Sequence, residues 1–387
     1  MRHIRSRLPS FITGSIFALL AIPVWAVPFT ATNLVTDDQA ANSAQITDSG
    51  LKNAWGLSFA PTGPFWVSAN GTDTSPLYSV NPVSQVTAKL PLTVSIPGSG
   101  VTGQVFNSSP SFNNNRFLFV SQDGTVSGWW PALGTTGLIS AETIVPASAA
   151  NLYTGAAIGS VSGNNYLYAA DFKSGTIDVY TSGAPALTGT FIDPGIPAGY
   201  APFNVQNLNG SLYVAYALRD NATNDEVAGP GLGYVDKFTL NGDFVGRVAS
   251  NGTLDAPWGL AVAPSSFSAM AGDLLVGNFG DGHINIYDST TFAYLGQVLD
   301  VNNQPVVIDG LWAISPGNGA LAGSSNLLYF TAGPNDETHG VLGVLTPVPE
   351  PSAYAMMLAG LVTLGLLIRR RALRIETGEF WRNERMT

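Results

Sequence analysis

Aspartate and asparagine are the residues of this sequence that are numerous enough to bind a ligand or a metal ion. Those at the ends of the predicted strands, together with Glu337, are Asn53, Asn70, Asp123, Asp171, Asn204, Asp255, Asn278, Asp281, Asp309 and Asp336. Carboxylate and amide oxygens are the ligands that Ca²⁺ prefers, and the ion takes six to eight of them. A calcium site formed by Asp171, Asn204, Asn278 and Asp281 is one hypothesis. The other is that these side chains occupy β-turns and bond backbone groups there.

Other reactive groups are scarce. The chain has no cysteine, which excludes disulfides and thiolate chemistry. Residues 27–347, which we call the body, have only two histidines, His283 and His339. His283 stands in an alternating segment, and we interpret it as a strand residue rather than a catalytic base. With so few nitrogen and sulfur ligands a zinc site is not expected. The G-x-G-x-x-G match at 98–103 opens no helical pattern, so we interpret it as a turn. No catalytic residue is assigned.

The body of the chain repeats at intervals of about fifty residues. The segments that open each unit align on Trp55, Gln104, Gly155, Phe203, Trp258 and Trp312. The steps between them are 49, 51, 48, 55 and 54 residues. A second apolar run, a Gly-containing turn and a third, alternating run follow in each unit. This pattern predicts an all-β fold, a six-bladed β-propeller over residues 27–347.

Two segments do not fit the repeat. Residues 29–35 look like a strand without a unit, and the last unit is one strand short. We predict that 29–35 completes the last blade and closes the ring, which removes an open sheet edge. The polar, Gly- and Pro-containing stretch 218–233 lengthens unit four and is predicted to be a loop. It is either a binding element at the rim or tolerated length.

The first 26 residues have the pattern of a secretory signal peptide. Three arginines precede the apolar run 11–23, and a Val-x-Ala sequence ending at Ala26 offers the small residues that a signal peptidase recognises. We predict cleavage after Ala26, so that the mature body begins at Val27 outside the inner membrane.

The C-terminal segment has three parts in a fixed order: a Pro-Glu-Pro sequence, sixteen uncharged residues at 353–368, and an arginine cluster. As a helix the uncharged run is about 24 Å long, near the lower limit for a hydrocarbon core of about 30 Å. Arginines after such a helix prefer the cytoplasmic side. The residues concerned are Pro349, Glu350, Pro351, Arg369, Arg370 and Arg371.

This order resembles the PEP-CTERM sorting signal of exported bacterial proteins. The resemblance implies that an exosortase-type membrane protease removes the tail. We therefore assign 348–371 to a sorting signal with a membrane helix at 353–368, and 372–387 to a cytoplasmic tail. The sixteen residues after the arginines depart from the usual pattern, in which the signal stops sooner.

The charge of the body differs from that of the whole chain. Of 16 Lys and Arg and 26 Asp and Glu residues, three basic ones lie in the signal peptide, and six basic and four acidic ones lie from 349 onward. The body therefore keeps 7 basic and 22 acidic residues, a net charge near −15. Such a surface repels nucleic acid and anionic lipid.

Four stretches resemble one family of exported, largely uncharacterised bacterial propeller proteins, some of which carry the Pro-Glu-Pro tail. They are 33–37, 51–59, 273–282 and 328–337, and the resemblance spans 29–346. The unit pattern is similar, more loosely, to NHL-repeat and gluconolactonase-like propellers. The looser likeness implies a central metal that polarises a lactone carbonyl, whereas the nearer one implies fold and export without an activity.

We expect a cell-surface or extracellular-matrix propeller, transiently anchored in the inner membrane, that is a non-catalytic binding or structural module. The expected partners are signal peptidase, an exosortase-type protease, and exopolysaccharide or another surface protein, but not nucleic acid. The alternative is a hydrolase or lactonase that uses Ca²⁺, the one cofactor suggested. Trp66, Trp129, Trp130 and Tyr216 either stack on sugars or pack between blades.

Overall fold

The computed structural model describes residues 27–348 and 360–363 of the 387-residue chain. The predicted signal peptide with Ala26, the Pro-Glu-Pro sequence and the arginine cluster lie outside the described residues. Residues 360–363, which fall within the predicted membrane segment, are helical. In the described ranges, no helix has both the length and the apolar character that membrane crossing requires.

Within residues 27–348 the chain forms six sheets, arranged as blades about one axis. Two strands precede the first blade, β1 (Phe29–Thr36) and β2 (Ile46–Thr47). Blade one contains β3 (Ala54–Ser58), β4 (Phe65–Ala69), β5 (Thr74–Val80) and β6 (Thr87–Ser95). Blade two contains β7 (Val101–Phe106), β8 (Phe117–Ser121) and β9 (Val126–Trp129). The next two strands are β10 (Gly137–Ser140), which joins β6 of blade one in parallel, and β11 (Glu142–Val145), which joins β9.

The remaining four blades follow in chain order. Blade three contains β12 (Tyr153–Val161), β13 (Asn164–Asp171) and β14 (Thr176–Thr181). Blade four contains β15 (Tyr200–Leu208), β16 (Ser211–Arg219), β17 (Glu226–Val227), β18 (Tyr234–Thr239) and β19 (Phe244–Ser250). Blade five contains β20 (Pro257–Val262), β21 (Leu274–Asn278), β22 (Ile284–Tyr287) and β23 (Tyr294–Gln297). Blade six contains β24 (Leu311–Pro316), β25 (Leu328–Ala332) and β26 (Val341–Pro347). Short 3₁₀ turns lie at Asn70–Thr72, Pro131–Leu133 and Ser265–Met270.

The N-terminal strand closes the ring, as the sequence predicts. β1 pairs antiparallel with β26 from Phe29 opposite Pro347 to Thr36 opposite Val341, with a bulge between Asn33 and Val35. β2 then pairs in parallel with β1. The six-bladed propeller is therefore confirmed, together with the strand that completes its last blade.

The predicted loop 218–233 is partly sheet. Leu218 and Arg219 still belong to β16, and the two residues of β17 pair back onto them. The prediction of a loop throughout is wrong at these positions, because the polar composition of the stretch did not reveal this short pairing. The rest of the stretch consists of turns and irregular backbone, apart from an isolated parallel bridge between Leu232 and Asp255.

The first strand of each blade is innermost, and the six inner strands contact one another in a ring. The glycines of the repeated opening segments lie where these strands approach most closely. A Cβ atom added to Gly103 would lie 2.4 Å from the backbone nitrogen of Ala156, and one on Gly56 would lie 2.3 Å from the carbonyl oxygen of Thr102. The repeated glycine thus serves the contact between neighbouring blades.

Large aromatic side chains fill the spaces between adjacent blades. Trp66 stacks on Phe117 with ring centroids 3.9 Å apart, and Trp129 lies 5.0 Å from Trp66. Trp66, Trp129 and Tyr216 are buried. These three side chains therefore pack inside the protein, which is the second of the two interpretations offered for them.

Substitution of the inner-ring glycine tests this packing. We expect Gly103→Ala to destabilise the protein by about 1–3 kcal/mol, because the added methyl group overlaps the backbone of blade three and forces the blades apart. The matched control is Gly246→Ala in the outer strand β19, where a Cβ atom meets nothing within 4 Å. Thermal unfolding followed by circular dichroism measures both. Equal stabilities of the two variants would contradict the close approach of the inner strands.

Candidate functional site

Polar side chains gather on one face of the ring, which we call the axial face: the face at which the inner strands begin and the second strands end. Its residues include Asn53, Asn70, Gln122, Asp171, Arg219, Asp255, Asn278, Asp281, Asp309 and Glu337. The topology explains the grouping, because in every blade the residues just before the first strand and just after the second strand reach the same edge of the sheet.

Aromatic rings fill the centre of the ring beneath this face. Trp55 stacks on Trp312 at a centroid distance of 3.6 Å, and Trp258 meets Trp312 edge-on at 5.8 Å. Phe279 stacks on Trp312 at 4.1 Å. All three tryptophans are at most 2% exposed. The Trp258 indole nitrogen donates to the carbonyl oxygen of Thr154, 2.9 Å away, and so ties blade five to blade three.

Asn53 connects this aromatic centre to the axial face. Its Oδ1 accepts a hydrogen bond from the Trp312 indole nitrogen at 2.9 Å. Its Nδ2 donates to Glu337 Oε2 at 2.5 Å and to Asn70 Oδ1 at 3.3 Å. Asn70 in turn donates to Gln122 Oε1 at 3.3 Å. A single polar network therefore runs from blade six through blade one to blade two.

The stretch 218–233 of blade four, which we call the insertion, brings further carboxylates to this face. Burial raises the pKa of Glu226 to about 7, and the charges of Glu337 and Asp225 add to the effect. Burial also raises the pKa of Glu337. The hydrogen bond from Asn53 opposes this rise, whereas the charge of Asp225 adds to it. The insertion is fixed to blade five, since Asp255 Oδ1 accepts the Gly229 N–H at 2.6 Å. Carboxylates of blades four and six thus lie within range of each other's charge.

The calcium candidates Asp171 and Asn204 are both engaged within the fold. Asp171 Oδ1 accepts the N–H groups of Leu152, Lys173 and Ser174 at 3.0–3.1 Å, and Oδ2 accepts Asn151 Nδ2 at 2.8 Å. Asn204 lies inside the inner strand β15 and is fully buried. Its Nδ2 donates to the carbonyl oxygen of Trp258 at 2.8 Å, and this hydrogen bond links blade four to blade five.

The structure brings the candidates Asn278 and Asp281 together, and His283 contacts Asp281 as well. Asn278 Nδ2 donates to Asp281 Oδ1 at 2.9 Å. Asp281 Oδ1 also accepts the His283 N–H at 3.0 Å, and Asp281 Oδ2 lies 2.9 Å from His283 Nδ1. His283 precedes the strand β22 instead of lying in it, so the sequence interpretation of its position is wrong. The charge of Asp281 reaches Asp255, whose pKa is raised by burial first and by Asp281 second.

These contacts bear on the calcium hypothesis without testing it. Across residues 27–348, no group of three or more His, Asp or Glu side chains has the geometry to hold a metal ion. The oxygens of Asp171 and Asp281 already accept backbone N–H groups of their own turns, which is the arrangement that the turn interpretation describes. Calcium binding by Asp171, Asn204, Asn278 and Asp281 stays a prediction.

The second histidine of the body belongs to the closure of the ring. His339 Nδ1 lies 3.0 Å from Asp37 Oδ2, and Lys52 Nζ lies 2.5 Å from the same oxygen. Asp37 Oδ1 accepts the Gly340 N–H at 2.9 Å, and its side chain is fully buried. Burial alone would raise the pKa of Asp37, but the hydrogen bonds from Lys52, Gly340 and His339 outweigh it and hold that pKa below its ordinary value.

Comparison with known proteins places the chain in a family. One uncharacterized protein of Acanthamoeba polyphaga mimivirus is 30% identical over 340 residues, which cover 84% of this chain and 80% of that protein. A second from the same virus is 32% identical over 318 residues, 77% of this chain and 81% of that protein. The chain belongs to the family of these mimivirus proteins. In addition, residues 347–371 match the PEP-CTERM protein-sorting motif, which implies export and processing by an exosortase-type system.

Solved structures similar to this member of the mimivirus-protein family show the fold alone. The soluble aldose sugar dehydrogenase of Escherichia coli matches with a TM-score of 0.50 and 14% identity, over 83% of this chain and all of that one. A glucose dehydrogenase matches with a TM-score of 0.51 and 14% identity, over 82% of this chain and all of that one. The periplasmic gluconolactonase of Pseudomonas aeruginosa gives a TM-score of 0.44 and 15% identity, over 77% of this chain and 89% of that one.

The buried Asp37 carboxylate makes stability depend on pH. Its pKa is lower in the folded than in the unfolded chain, so its contribution is fully present above the unfolded value of about 3.9 and is lost as the pH falls through the folded value. We expect Asp37→Asn to lose about 1–3 kcal/mol at pH 7 and to flatten the acid side of the stability curve. Urea unfolding between pH 7 and pH 2 measures this, with Asp38→Asn as the neighbouring control. A constant difference between wild type and Asp37→Asn over this range would contradict the role of the carboxylate charge.

Proposed function

We propose that this exported propeller is a non-catalytic binding module of the cell surface or extracellular matrix, and that it binds a polymer or a surface protein on its axial face. The observation that carries the proposal is the filling of the centre by Trp55, Trp258 and Trp312. Small-molecule sites are concave pockets, whereas a centre packed with indole rings leaves ligands to bind across the face. A broad, polar face suits an extended partner such as exopolysaccharide.

Charge supports this choice of partner. The body carries a net charge near −15, which disfavours nucleic acid and strongly anionic polymers at physiological salt. Amide and carboxylate groups such as Asn70, Gln122 and Asp225 offer hydrogen bonds to the hydroxyl groups of a neutral or basic polysaccharide. The PEP-CTERM motif is consistent with this setting, because it accompanies export and sorting to the cell surface.

Steric blocking of one face tests the proposal. Because the chain lacks cysteine, a single introduced cysteine can carry a polyethylene glycol maleimide. Ser174→Cys places the label in an exposed turn of the axial face, and Thr290→Cys places it in an exposed turn on the opposite face. We expect the first label to reduce binding to exopolysaccharide isolated from the producing cells at least about tenfold, and the second to leave it unchanged. Binding that survives the label at Ser174 would count against the axial face.

A second candidate function rests on the contact between Asp281 and His283. A carboxylate that accepts the Nδ1–H of a neutral imidazole leaves Nε2 free to accept a proton, which is the arrangement of a general base. A hydrolase or lactonase would use this pair. The other carboxylate–histidine pair of the body, Asp37 with His339, provides the matched control because its Nδ1–Oδ2 distance is nearly the same.

The binding-module proposal predicts no turnover of lactone or phosphoester substrates by the wild-type protein. Hydrolysis that is lost in His283→Gln and Asp281→Asn but kept in His339→Gln would replace the proposal by the hydrolase. The same proteins serve to test calcium, since an ion that binds only the folded state raises the unfolding temperature, and the rise grows with the logarithm of the ion concentration above its dissociation constant. A calcium-dependent rise that disappears in Asp281→Asn would establish the predicted site.

A further inference from the structure

The two ends of the described body meet at one corner of blade six, which we call the closing corner: Val27, Pro28, Pro347 and Val348. Phe29 and Pro347 are paired in the sheet, and the Val348 N–H donates to the carbonyl oxygen of Pro28 at 2.8 Å. Both ends of the chain therefore leave the ring at the same point.

The closing corner lies on the face opposite the axial face. β26 begins at Val341, next to Gly340 and the buried Asp37 on the axial side, and runs seven residues to Pro347. At about 3.3 Å per residue the strand separates the two faces by about 20 Å. The chain thus leaves the ring on the side remote from Asn53 and Glu337.

Packing holds the corner in place. Phe29 is 3% exposed, and its ring lies 4.5 Å from that of Phe267 in the 3₁₀ turn of blade five. The Phe29 N–H donates to the carbonyl oxygen of Leu299 at 2.8 Å. Val27 and Met270 pack against the same apolar cluster. The direction in which the chain leaves the ring is therefore set by the fold.

The sorting motif starts at this corner with no spacer. The match begins at residue 347, which is also the last residue of β26. From Val348 to the start of the predicted membrane segment at 353 the sequence has five residues, which span at most about 18 Å even when fully extended. A propeller attached through this segment has one corner held close to the membrane.

We infer that the closing corner is the surface that meets the membrane-embedded exosortase-type protease, and that the axial face points away from the membrane while the tail is attached. This inference adds an orientation to the proposed function and rests on it only in naming the axial face as the binding surface. The face that is directed outward is then the one an extracellular partner reaches first.

Energy transfer to labelled lipids tests the orientation. The full chain, purified with its C-terminal tail from cells without the processing protease, is placed in liposomes that contain an acceptor-labelled lipid. Ser325→Cys and Thr338→Cys place a donor dye in exposed turns at opposite ends of strand β25, the first on the side of the closing corner and the second on the axial side. We expect about twofold higher transfer from position 325 than from position 338, given a separation of the faces of about 20 Å.

Equal transfer from the two positions, or higher transfer from position 338, would overturn the inference. A variant with ten Gly and Ser residues inserted between Val348 and Pro349 is the control, because a flexible linker lets the ring tumble and should abolish the difference. In cells that contain the protease, the same insertion should slow removal of the tail if the corner meets the enzyme, and unchanged processing would count against that contact. Polysaccharide binding is measured separately, so its failure leaves the orientation result intact.

Discussion

The antiparallel pairing of β1 with β26 is the interaction on which the rest of the structure depends. Seven residues of the N-terminal strand find partners in the last strand, although more than three hundred positions separate them along the chain. In a ring of blades every inner strand is held by two neighbours, so opening the ring anywhere removes packing from both sides of the gap. The pairing covers the outer edge of β26 and joins the two ends of the chain within blade six, which closes the ring in a chain without disulfides.

The same closure assembles part of the axial face. Asp37 follows β1, Gly340 precedes β26 and Lys52 precedes β3, and their contacts form only when the ends of the chain meet. The Asn53 N–H then donates to the carbonyl oxygen of His339, and its side chain spans Trp312 and Glu337. The polar network of the face is therefore a consequence of ring closure, and the stability of one is coupled to that of the other.

Local pattern was enough to predict the ring but not the contacts across it. The opening segments at Trp55, Trp258 and Trp312 repeat because each presents a large apolar ring followed by a small residue, which is Gly56, Gly259 and Ala313 respectively. The strand at 29–35 has no unit of its own, so the incomplete last blade is its predicted partner. By contrast, Asn53 and Glu337 are 284 residues apart, and nothing near either residue predicts their bond. Asp171 fits both a turn cap and the predicted calcium ligand, because turn-capping and metal-binding sequences use the same residues. Nothing in the sequence around Glu226 indicates that its carboxylate is buried, because the residue lies in a polar stretch predicted to be a loop.

The division between an apolar centre and a polar face is also the basis of the proposed binding function. Indole rings packed at the axis stabilise the ring through burial, and the polar side chains lie on the face above them. There, Asn70 bonds to Asn53, to Gln122 and to the Val101 carbonyl oxygen of blade two, and Asn53 accepts from Trp312 of blade six, so the positions of these side chains are fixed by the fold. A fixed array loses little conformational entropy on binding, and many weak contacts over a broad face can then add up. Closure of the ring therefore also fixes the polar groups on which the proposed binding function rests.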